Sequence, residues 1–424
     1  MTIKGLIKKA APKFLINWYH FGLAFLGALV YGFPSRRMEV IGVTGTSGKS
    51  TVVKLVSEIY EDAGIPTASI SSIRFRINGE DTPNLLKMTM PGRWRIQKFL
   101  KEAADKGCKT AIIEVTSEGI KQHRHRFIKF KTAVFNNLAM EHIESHGSFE
   151  KYRKAKEDLF KKTKDIHILN LDDENVGEFL KYPAKKKYGY TLKGAFKNGV
   201  QIISANNVKR VQGGMEFEID GTVITLPLEG DFNVCNALAA ICAGKARGVN
   251  LLEIKSSLQK TTTVPGHMEE IISEPFSVFV DYAFIPASLE KVYKILKSKA
   301  LERKGRLIGV LGACGGGRDK WKRPVLGEIA KKYCDEIIVT NEDPYDENPQ
   351  EIIGQVAKGA GEKAVKILDR REAIGWALKA AKPGDVVILT GKGCEPWICV
   401  SDGKKIPWDE KKTAMEEYQK VFLR

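Results

Sequence analysis

The sequence predicts an α/β fold with two successive parallel-sheet domains, and three observations predict it. Short β-branched or apolar runs alternate with helical patterns from Glu39 to about Thr263, which implies a mainly parallel sheet with helices on both faces. The same rhythm restarts after Thr261-Thr262-Thr263-Val264-Pro265-Gly266, a linker-like stretch. Finally, the run Val40–Val43 feeds a turn with two glycines and then a helical pattern from Val52 to Ala63. A strand, a glycine turn and a helix N-terminus in that order make a phosphate cradle. The expected organisation is a short N-terminal segment over 1–38, a P-loop-type central domain with a parallel sheet over 39–263, and a C-terminal Rossmann-like doubly wound domain over 264–424.

The cradle is Thr44-Gly45-Thr46-Ser47-Gly48-Lys49-Ser50-Thr51. Its backbone N–H groups would face the phosphates, Lys49 would reach the terminal ones, and Ser50 would offer its hydroxyl to Mg²⁺. The spacing G-x-x-x-x-G-K-[ST] is missed by one residue, because Val43 stands at its first position and Gly42 precedes it. A chance Gly-Lys-Ser is the bland alternative. Strand, loop, lysine and hydroxyl arriving in the right order favour the phosphate cradle.

An apolar share of 43% supports real cores. The seven cysteines are scattered, with no C-x-x-C pair, which fits a reduced cytosolic protein better than a disulfide framework or zinc ribbon. The formal charge is +17, denser at Lys121–Lys131 and Lys181–Lys187. No nucleic-acid module is visible, and aromatics do not interleave with the basic runs as a stacking platform needs. No nucleic-acid partner is expected, and most of these lysines read as a solvated surface.

Lys4, Lys8, Lys9 and Lys13 precede an apolar run from Phe14 to Phe33, which Pro34, Ser35, Arg36 and Arg37 close. Asn17, His20 and two glycines interrupt the run, and no small-residue cleavage site follows. Three readings are open: a helix packed on the body, an interfacial anchor held by apolar side chains and basic flanks, and a membrane span. Beyond it, Ala111–Val115, Thr132–Phe135 and His167–Leu171 are strand-like, with helical stretches at Trp94–Lys106 and Phe149–Lys162. Tyr188 to Leu228, with Gly-Gly and Asp-Gly turns, reads as an antiparallel insertion before a helix at Asn233–Ala246. In the second domain Val278–Val280, Leu307–Leu311, Glu336–Val339, Ala364–Ile367 and Val386–Leu389 are buried-type strands.

Several residues fall where parallel sheets place ligands. Glu114 closes the run Ile112-Ile113-Glu114-Val115-Thr116-Ser117 and could hold Mg²⁺ through oxygen; a surface glutamate is the alternative. His142 and His146 have a helical zinc spacing, but no third ligand stands out. A single histidine near magnesium is the better functional reading, and loop histidines without metal are the alternative. Lys156 shares a helical face with Phe149, Tyr152, Leu159 and Phe160. Burial would favour its neutral amine, which can react with CO₂ to give an anionic carbamate; a snorkelling lysine is the alternative. Gly315-Gly316-Gly317-Arg318-Asp319-Lys320, Asn341-Glu342-Asp343-Pro344-Tyr345 and Gly391-Lys392-Gly393-Cys394-Glu395 each follow a strand and so share one sheet edge.

Taken together these stretches resemble the Mur ligases, the ATP-dependent amide-forming enzymes of cell-wall peptide assembly, and within them the MurE type. The resemblance runs through the phosphate loop, Glu114–Ser117 with Gln122-His123-Arg124, Asn137-Leu138, Glu141-His142, His146-Gly147 and Ala155-Lys156. It continues in Phe232-Asn233-Val234-Cys235-Asn236-Ala237, Val264-Pro265-Gly266, Asp281-Tyr282-Ala283, Gly316–Lys320 with Lys322-Arg323-Pro324, and Gly391-Lys392-Gly393 with Glu395. It implies that ATP is bound by Thr44–Thr51, Asn233, Asn236, Asp281, Arg318 and Lys320. Ser50, Glu114, His142 and a carbamylated Lys156 would serve the magnesium ions. Lys49, Glu114, His142 and Lys156 would act in catalysis, and Ser117, Arg124, Asp343, Tyr345, Gly391 and Glu395 would face substrate. The family activates a carboxylate as an acyl phosphate, which an amine attacks. Mg²⁺ and cationic side chains offset charge on the transferring phosphoryl group.

The departures are informative. MurE enzymes begin with a domain that holds the uridine nucleotide; here the apolar segment stands before the phosphate loop, so the acceptor is expected to be a nucleotide- or lipid-linked muramoyl peptide. Residues 14–33 would then touch a membrane surface, with the protein cytoplasmic, peripheral to the inner face and monomeric. The family's D-N-P-R reads Glu342-Asp343-Pro344-Tyr345, which removes the bidentate partner for a distal carboxylate. With Glu395 kept, a diamino acid with a free distal ammonium, such as lysine or ornithine, is expected. Competing readings are a folylpolyglutamate-synthase-like ligase and a non-catalytic Mur-like subunit.

Overall fold

The computed structural model describes residues 12–86 and 88–422. The chain divides into two compact units: residues up to Met140 with Phe149–Thr262, and Glu141–Ser148 with the chain from Thr263. The short segment 141–148 therefore leaves the first unit and packs in the second, a division that falls inside the expected central domain.

The first unit opens with α1 (Lys13–Val30) and is built on a sheet of β1 (Glu39–Thr44), β2 (Thr67–Ile70), β3 (Arg74–Ile77), β4 (Glu80–Pro83), β5 (Thr110–Glu114), β6 (Phe130–Phe135), β7 (Ile166–Asn170), β8 (Lys186–Thr191) and β9 (Gln201–Ser204), in the order β4-β3-β2-β5-β1-β6-β7-β8-β9. α2 (Lys49–Asp62), α3 (Arg93–Asp105), α4 (Ser117–Lys121), α5 (Phe149–Lys162), α6 (Asp231–Arg247) and α7 (Leu251–Lys260) accompany it. Side chains alternate between two cores. Ile41, Val43, Ile112, Val134 and Ile168 enter one, and Val40, Ala111, Ile113, Ala133 and Leu169 enter the other. That two-sided burial is why these strands read as continuous apolar runs.

The sheet is mainly parallel, as expected, with β3 and β4 added antiparallel at one edge. Asn78 and Gly79 both take positive φ, 47° and 85°, in the two-residue turn that joins them, which suits a tight hairpin. The antiparallel insertion starts later than Tyr188. β8 and β9 pair parallel with β7 and with each other, and only β10 (Asn206–Val211), β11 (Gly214–Ile219) and β12 (Thr222–Leu226) form the separate antiparallel sheet. β8 is an interior strand between β7 and β9, and a Cβ at Gly189 would meet Leu171 and Val200, so its backbone is closely covered.

The second unit carries β13 (Glu269–Ile272), β14 (Ser277–Asp281), β15 (Leu307–Leu311), β16 (Glu336–Thr340), β17 (Ala364–Ile367) and β18 (Val386–Thr390), in the order β13-β14-β18-β15-β16-β17. All pairs are parallel except β13 with β14. α8 (Pro286–Glu302), α9 (Lys322–Tyr333), α10 (Pro349–Ala360), α11 (Arg370–Ala380) and α12 (Glu410–Phe422) complete it. Four loops, after β14, β15, β16 and β18, leave carboxyl ends of this sheet.

Candidate active site

In the first unit the register of β1 decides what meets the phosphate loop. Val43 pairs with Glu114 on one side and Val134 on the other, so the residues following β1, β5 and β6 emerge together. Gly48 takes φ 76° and caps α2 with no side chain of its own. A Cβ there would meet the side-chain amides of Asn136 and Asn236. The first-turn amides of Lys49, Ser50 and Thr51 lie ahead of the first i−4 bond, Val52 N to Gly48 O at 3.0 Å, and are therefore free of intrahelical acceptors and suited to an anion.

Two asparagines hold this loop: Asn137, from one of the stretches that carry the resemblance, and Asn136 beside it. The Asn137 Oδ1 accepts from Thr46 N at 3.2 Å and Ser47 N at 2.9 Å, while its Nδ2 donates to Ser47 O at 3.0 Å. Asn136 Nδ2 donates to Ser47 O at 2.9 Å and to Asn236 Oδ1 at 2.8 Å. The resemblance marked Asn137 without a role, and for Asn136 the only signal was position: both follow β6, beside the cradle strand. Asn236 Nδ2 in turn donates to Asn233 Oδ1 at 3.1 Å, and Asn233 Nδ2 to Glu229 O at 2.9 Å. Both predicted nucleotide contacts thus sit in a chain of amides that ends under the loop.

Glu114 is buried, and its carboxylate holds Ser50, the predicted metal hydroxyl, together with Ser72 and Lys49. Ser50 Oγ donates to its Oε2 at 2.8 Å, Ser72 N donates to the same oxygen at 3.0 Å, and Lys49 Nζ lies 3.7 Å from Oε1. Ser72, absent from the sequence reading, has its hydroxyl 2.8 Å from that of Ser50. A buried carboxylate beside a hydroxyl and a helix N-terminus is an oxygen donor set that fits Mg²⁺ shared with phosphate oxygens.

Lys156 is 2% exposed. Its Nζ donates to Gly45 O at 2.7 Å and lies 4.7 Å from the Tyr152 ring centre. Burial, helped by the charge of Lys49 and opposed by Glu114, pushes its ammonium well below the ordinary lysine range. Tyr152 OH is 3.0 Å from Thr46 Oγ1, which ties the lysine's helix to the loop. Ser117 is buried at the start of α4, and Arg124 donates to Met90 O and to Gln122 Oε1 at 2.8 Å. Thr44 and Thr51 are buried at the two ends of the loop.

His142 lies in the second unit, in left-handed backbone with φ 58°. Its segment is anchored there. Glu141 pairs with Lys322 Nζ at 2.9 Å, both buried, and Asp319 accepts from Ile143 N at 3.2 Å and Glu144 N at 2.9 Å. The His142 and His146 ring centres are 6.5 Å apart. Among the described residues the His/Cys/Asp/Glu cluster with metal-ligand spacing is Cys314, Glu342 and Asp343, not this pair. Burial pushes both Cys314 and Glu342 towards their neutral forms, and the thiol donates to Glu342 Oε1 at 2.8 Å.

The remaining predicted residues line the carboxyl edge of the second sheet. Asp281 ends β14, and burial pushes its carboxyl up to about 7 although Met268 N and Ala283 N donate to it at 2.7 and 2.6 Å. Arg318 is hydrogen-bonded to Tyr345, and Lys320 is exposed with Glu347 at 3.5 Å. Lys392 Nζ, fully buried, contacts Asp343 at 3.1 Å and Glu395 at 2.8 Å; Tyr282 OH donates to Glu395 at 3.0 Å. Glu395 therefore already pairs with a lysine that it shares with Asp343, which residue types alone did not reveal. Gly391, at φ 100°, leaves no room for a Cβ against Glu342.

The Mur ligase middle domain matches residues 43–244, and the Mur ligase, glutamate ligase domain matches 267–393. The chain is 36% identical over 416 residues to a UDP-N-acetylmuramyl-tripeptide synthetase of Roseiflexus sp., covering 92% of this chain and 80% of that one. It is 35% identical over 412 residues to UDP-N-acetylmuramoyl-L-alanyl-D-glutamate--2,6-diaminopimelate ligase 1 of Clostridium acetobutylicum, covering 94% and 82%. A solved UDP-N-acetylmuramoyl-L-alanyl-D-glutamate--2,6-diaminopimelate ligase superposes with a TM-score of 0.59 at 28% identity, over 90% of this chain and 78% of that one. A Mycobacterium tuberculosis folylpolyglutamate synthase shares the fold, with a TM-score of 0.70 at 18% identity over 87% and 91%.

Proposed function

The chain belongs to the Mur ligase family, and from that premise we propose that it joins an amino acid to a muramoyl-peptide-like acceptor through an acyl phosphate, with release of ADP and phosphate. An ATP-dependent amide ligase of cell-wall peptide synthesis needs a site that stabilises charge on a phosphoryl group in transit. The observation that carries the reading is the cluster of Lys49, Ser50, Glu114 and Lys156 around one loop.

In this reading the amides of Lys49, Ser50 and Thr51 bind phosphate oxygens, and Lys49 moves from Thr46 O, now 3.0 Å away, to the terminal phosphate. Ser50 and Glu114 would hold Mg²⁺, which supplies Lewis-acid stabilisation of the phosphoryl oxygens when bound. The neutral Lys156 amine bonds to the carbon of CO₂ and loses one proton to solvent, giving a carbamate that adds anionic oxygen to the same cluster. His142 is proposed as a further metal-serving residue, and Asn233, Asn236, Asp281, Arg318 and Lys320 as nucleotide contacts. Ser117, Arg124, Asp343, Tyr345, Gly391 and Glu395 are the proposed substrate contacts. The acceptor is nucleotide- or lipid-linked and the enzyme is a cytoplasmic monomer.

We propose a diamino acid with a free distal ammonium as the incoming amine. Tyr345 offers no second cation for a distal carboxylate, and Glu395 can share an ammonium with Lys392. Similar proteins that act on 2,6-diaminopimelate, by their names, favour that amino acid as the second reading. The test is mass spectrometry of products from ATP, Mg²⁺, UDP-muramoyl dipeptide and pooled amino acids. A product heavier by lysine or ornithine is expected. Preferred gain of diaminopimelate would overturn the amino-acid assignment, and no product with either a nucleotide- or a lipid-linked acceptor would overturn the ligase reaction.

A further inference from the structure

We propose that α1 is an interfacial membrane anchor that seats the first unit on an anionic lipid surface. The inference stands on the surface alone and does not rest on the catalytic reading. A helix at a protein surface ordinarily turns its large apolar residues inward. α1 does the reverse. Its buried face is made of small residues, Ala24, Gly27 and Ala28, and Gly27 lets the helix approach Trp94, whose ring would lie 3.4 Å from a Cβ there. Six of its large residues point out: Leu15, Trp18, Tyr19, Leu26, Leu29 and Val30 are each 49–70% exposed, while Phe21 and Phe25 pack on Phe127. An apolar stripe of this kind marks an interaction surface.

The charge around it names the partner. The first 38 residues contain six lysines and arginines and no aspartate or glutamate. The fold then brings a second basic stretch to the same helix. Residues 121–131 hold five lysines and arginines and no acid, and they dock on α1 through His123 Nε2, 2.5 Å from Asn17 Oδ1, and through Phe127, whose ring centre is 5.2 Å from that of Phe21 and 5.4 Å from that of Phe25. Lys121 and Lys129 of this stretch are exposed. Apolar side chains flanked on both sides by cations match the acyl–headgroup boundary of an anionic bilayer. A second copy of the chain would place like charges against each other. Among the described residues no helix is long and apolar enough to cross a membrane, so of the three readings of this segment the span falls away.

The test is flotation of the full chain with vesicles of phosphatidylglycerol and phosphatidylcholine, and with vesicles of phosphatidylcholine alone. Binding about tenfold tighter to the anionic vesicles is expected, weakened by about 0.5 M salt through screening. The exposed pair Trp18→Glu with Leu29→Glu should lower that binding about tenfold or more. In the unaltered chain, brominated lipid should quench the part of the tryptophan emission that Trp18→Phe removes. Equal binding by parent and double variant, no binding to either vesicle, or no quenching of Trp18 would each overturn the proposal. A parent dimer that the double variant turns into a monomer, without vesicle binding, would assign the face to a second copy instead.

Discussion

Lys156 is the residue on which the proposed chemistry turns. An amine sealed under Gly45 and the Tyr152 ring cannot keep its proton cheaply, because desolvation penalises the cation and Lys49 adds to it. The neutral form is the one that reacts with CO₂. Lys156→Ala is expected to lower turnover by about 10²–10³-fold, the usual cost of losing one charge-stabilising group. Lys156→Arg should not restore it, because a guanidinium stays protonated and takes no CO₂. With ¹³C-labelled bicarbonate the parent should show a carbamate carbon resonance that the Lys156→Ala variant lacks. A parent without that resonance, together with a fully active Lys156→Arg, would remove the carbamate from the mechanism. The spacing with Tyr152, Leu159 and Phe160 left a snorkelling lysine open and only the family resemblance favoured a buried one; the structure buries it. The acceptor it found, Gly45 O, lies 111 residues earlier and was not legible.

At the scale of the element, the phosphate loop is a strand end, a glycine turn and a helix start held from below by two asparagines. Gly48 meets two requirements at once: a positive φ, and no Cβ against Asn136 and Asn236. Gly48→Ala is therefore expected to cost about 1–3 kcal/mol of stability and to raise the KM for ATP steeply. Urea unfolding and steady-state kinetics check the two effects separately. A variant that keeps its KM would show that the loop's shape does not set nucleotide affinity. The order of strand, glycines, lysine and hydroxyl was readable because local sequence dictates local backbone. The support from Asn136, Asn137 and Ser72 was not, because it depends on which strands become neighbours, and the register of β1 with β5 and β6 decides that.

At the scale of the whole molecule, the segment 141–148 interrupts the first unit and belongs to the second. Its hold is the buried Glu141–Lys322 pair and the two amides that Asp319 accepts. Removing one partner of a buried pair costs about 3–5 kcal/mol, because the other is left charged and unpaired. A single proteolytic cut in residues 261–264 should therefore leave the two fragments together on size exclusion, since one carries residues 141–148 and the other their docking site. In Lys322→Met with Asp319→Ala the fragments should separate more readily. Equal retention in both would mean that other contacts carry the association.

The α/β class, most of the central strands, the phosphate loop and the family were legible in the chain, because periodicity, turn chemistry and motif spacing are properties of short stretches. The edge strands β3 and β4 were not, and α1 was visible only as an apolar run between basic flanks. Packing settled that Leu15, Trp18, Tyr19, Leu26, Leu29 and Val30 of α1 face outward while Ala24, Gly27 and Ala28 are buried, and that residues 121–131 join the same surface. It also decided that Glu395 already holds Lys392, and that His142 travels with the second unit. Each of these depends on contacts between residues far apart in the chain, whose pairing follows from sheet order and packing and is written in no single window of sequence.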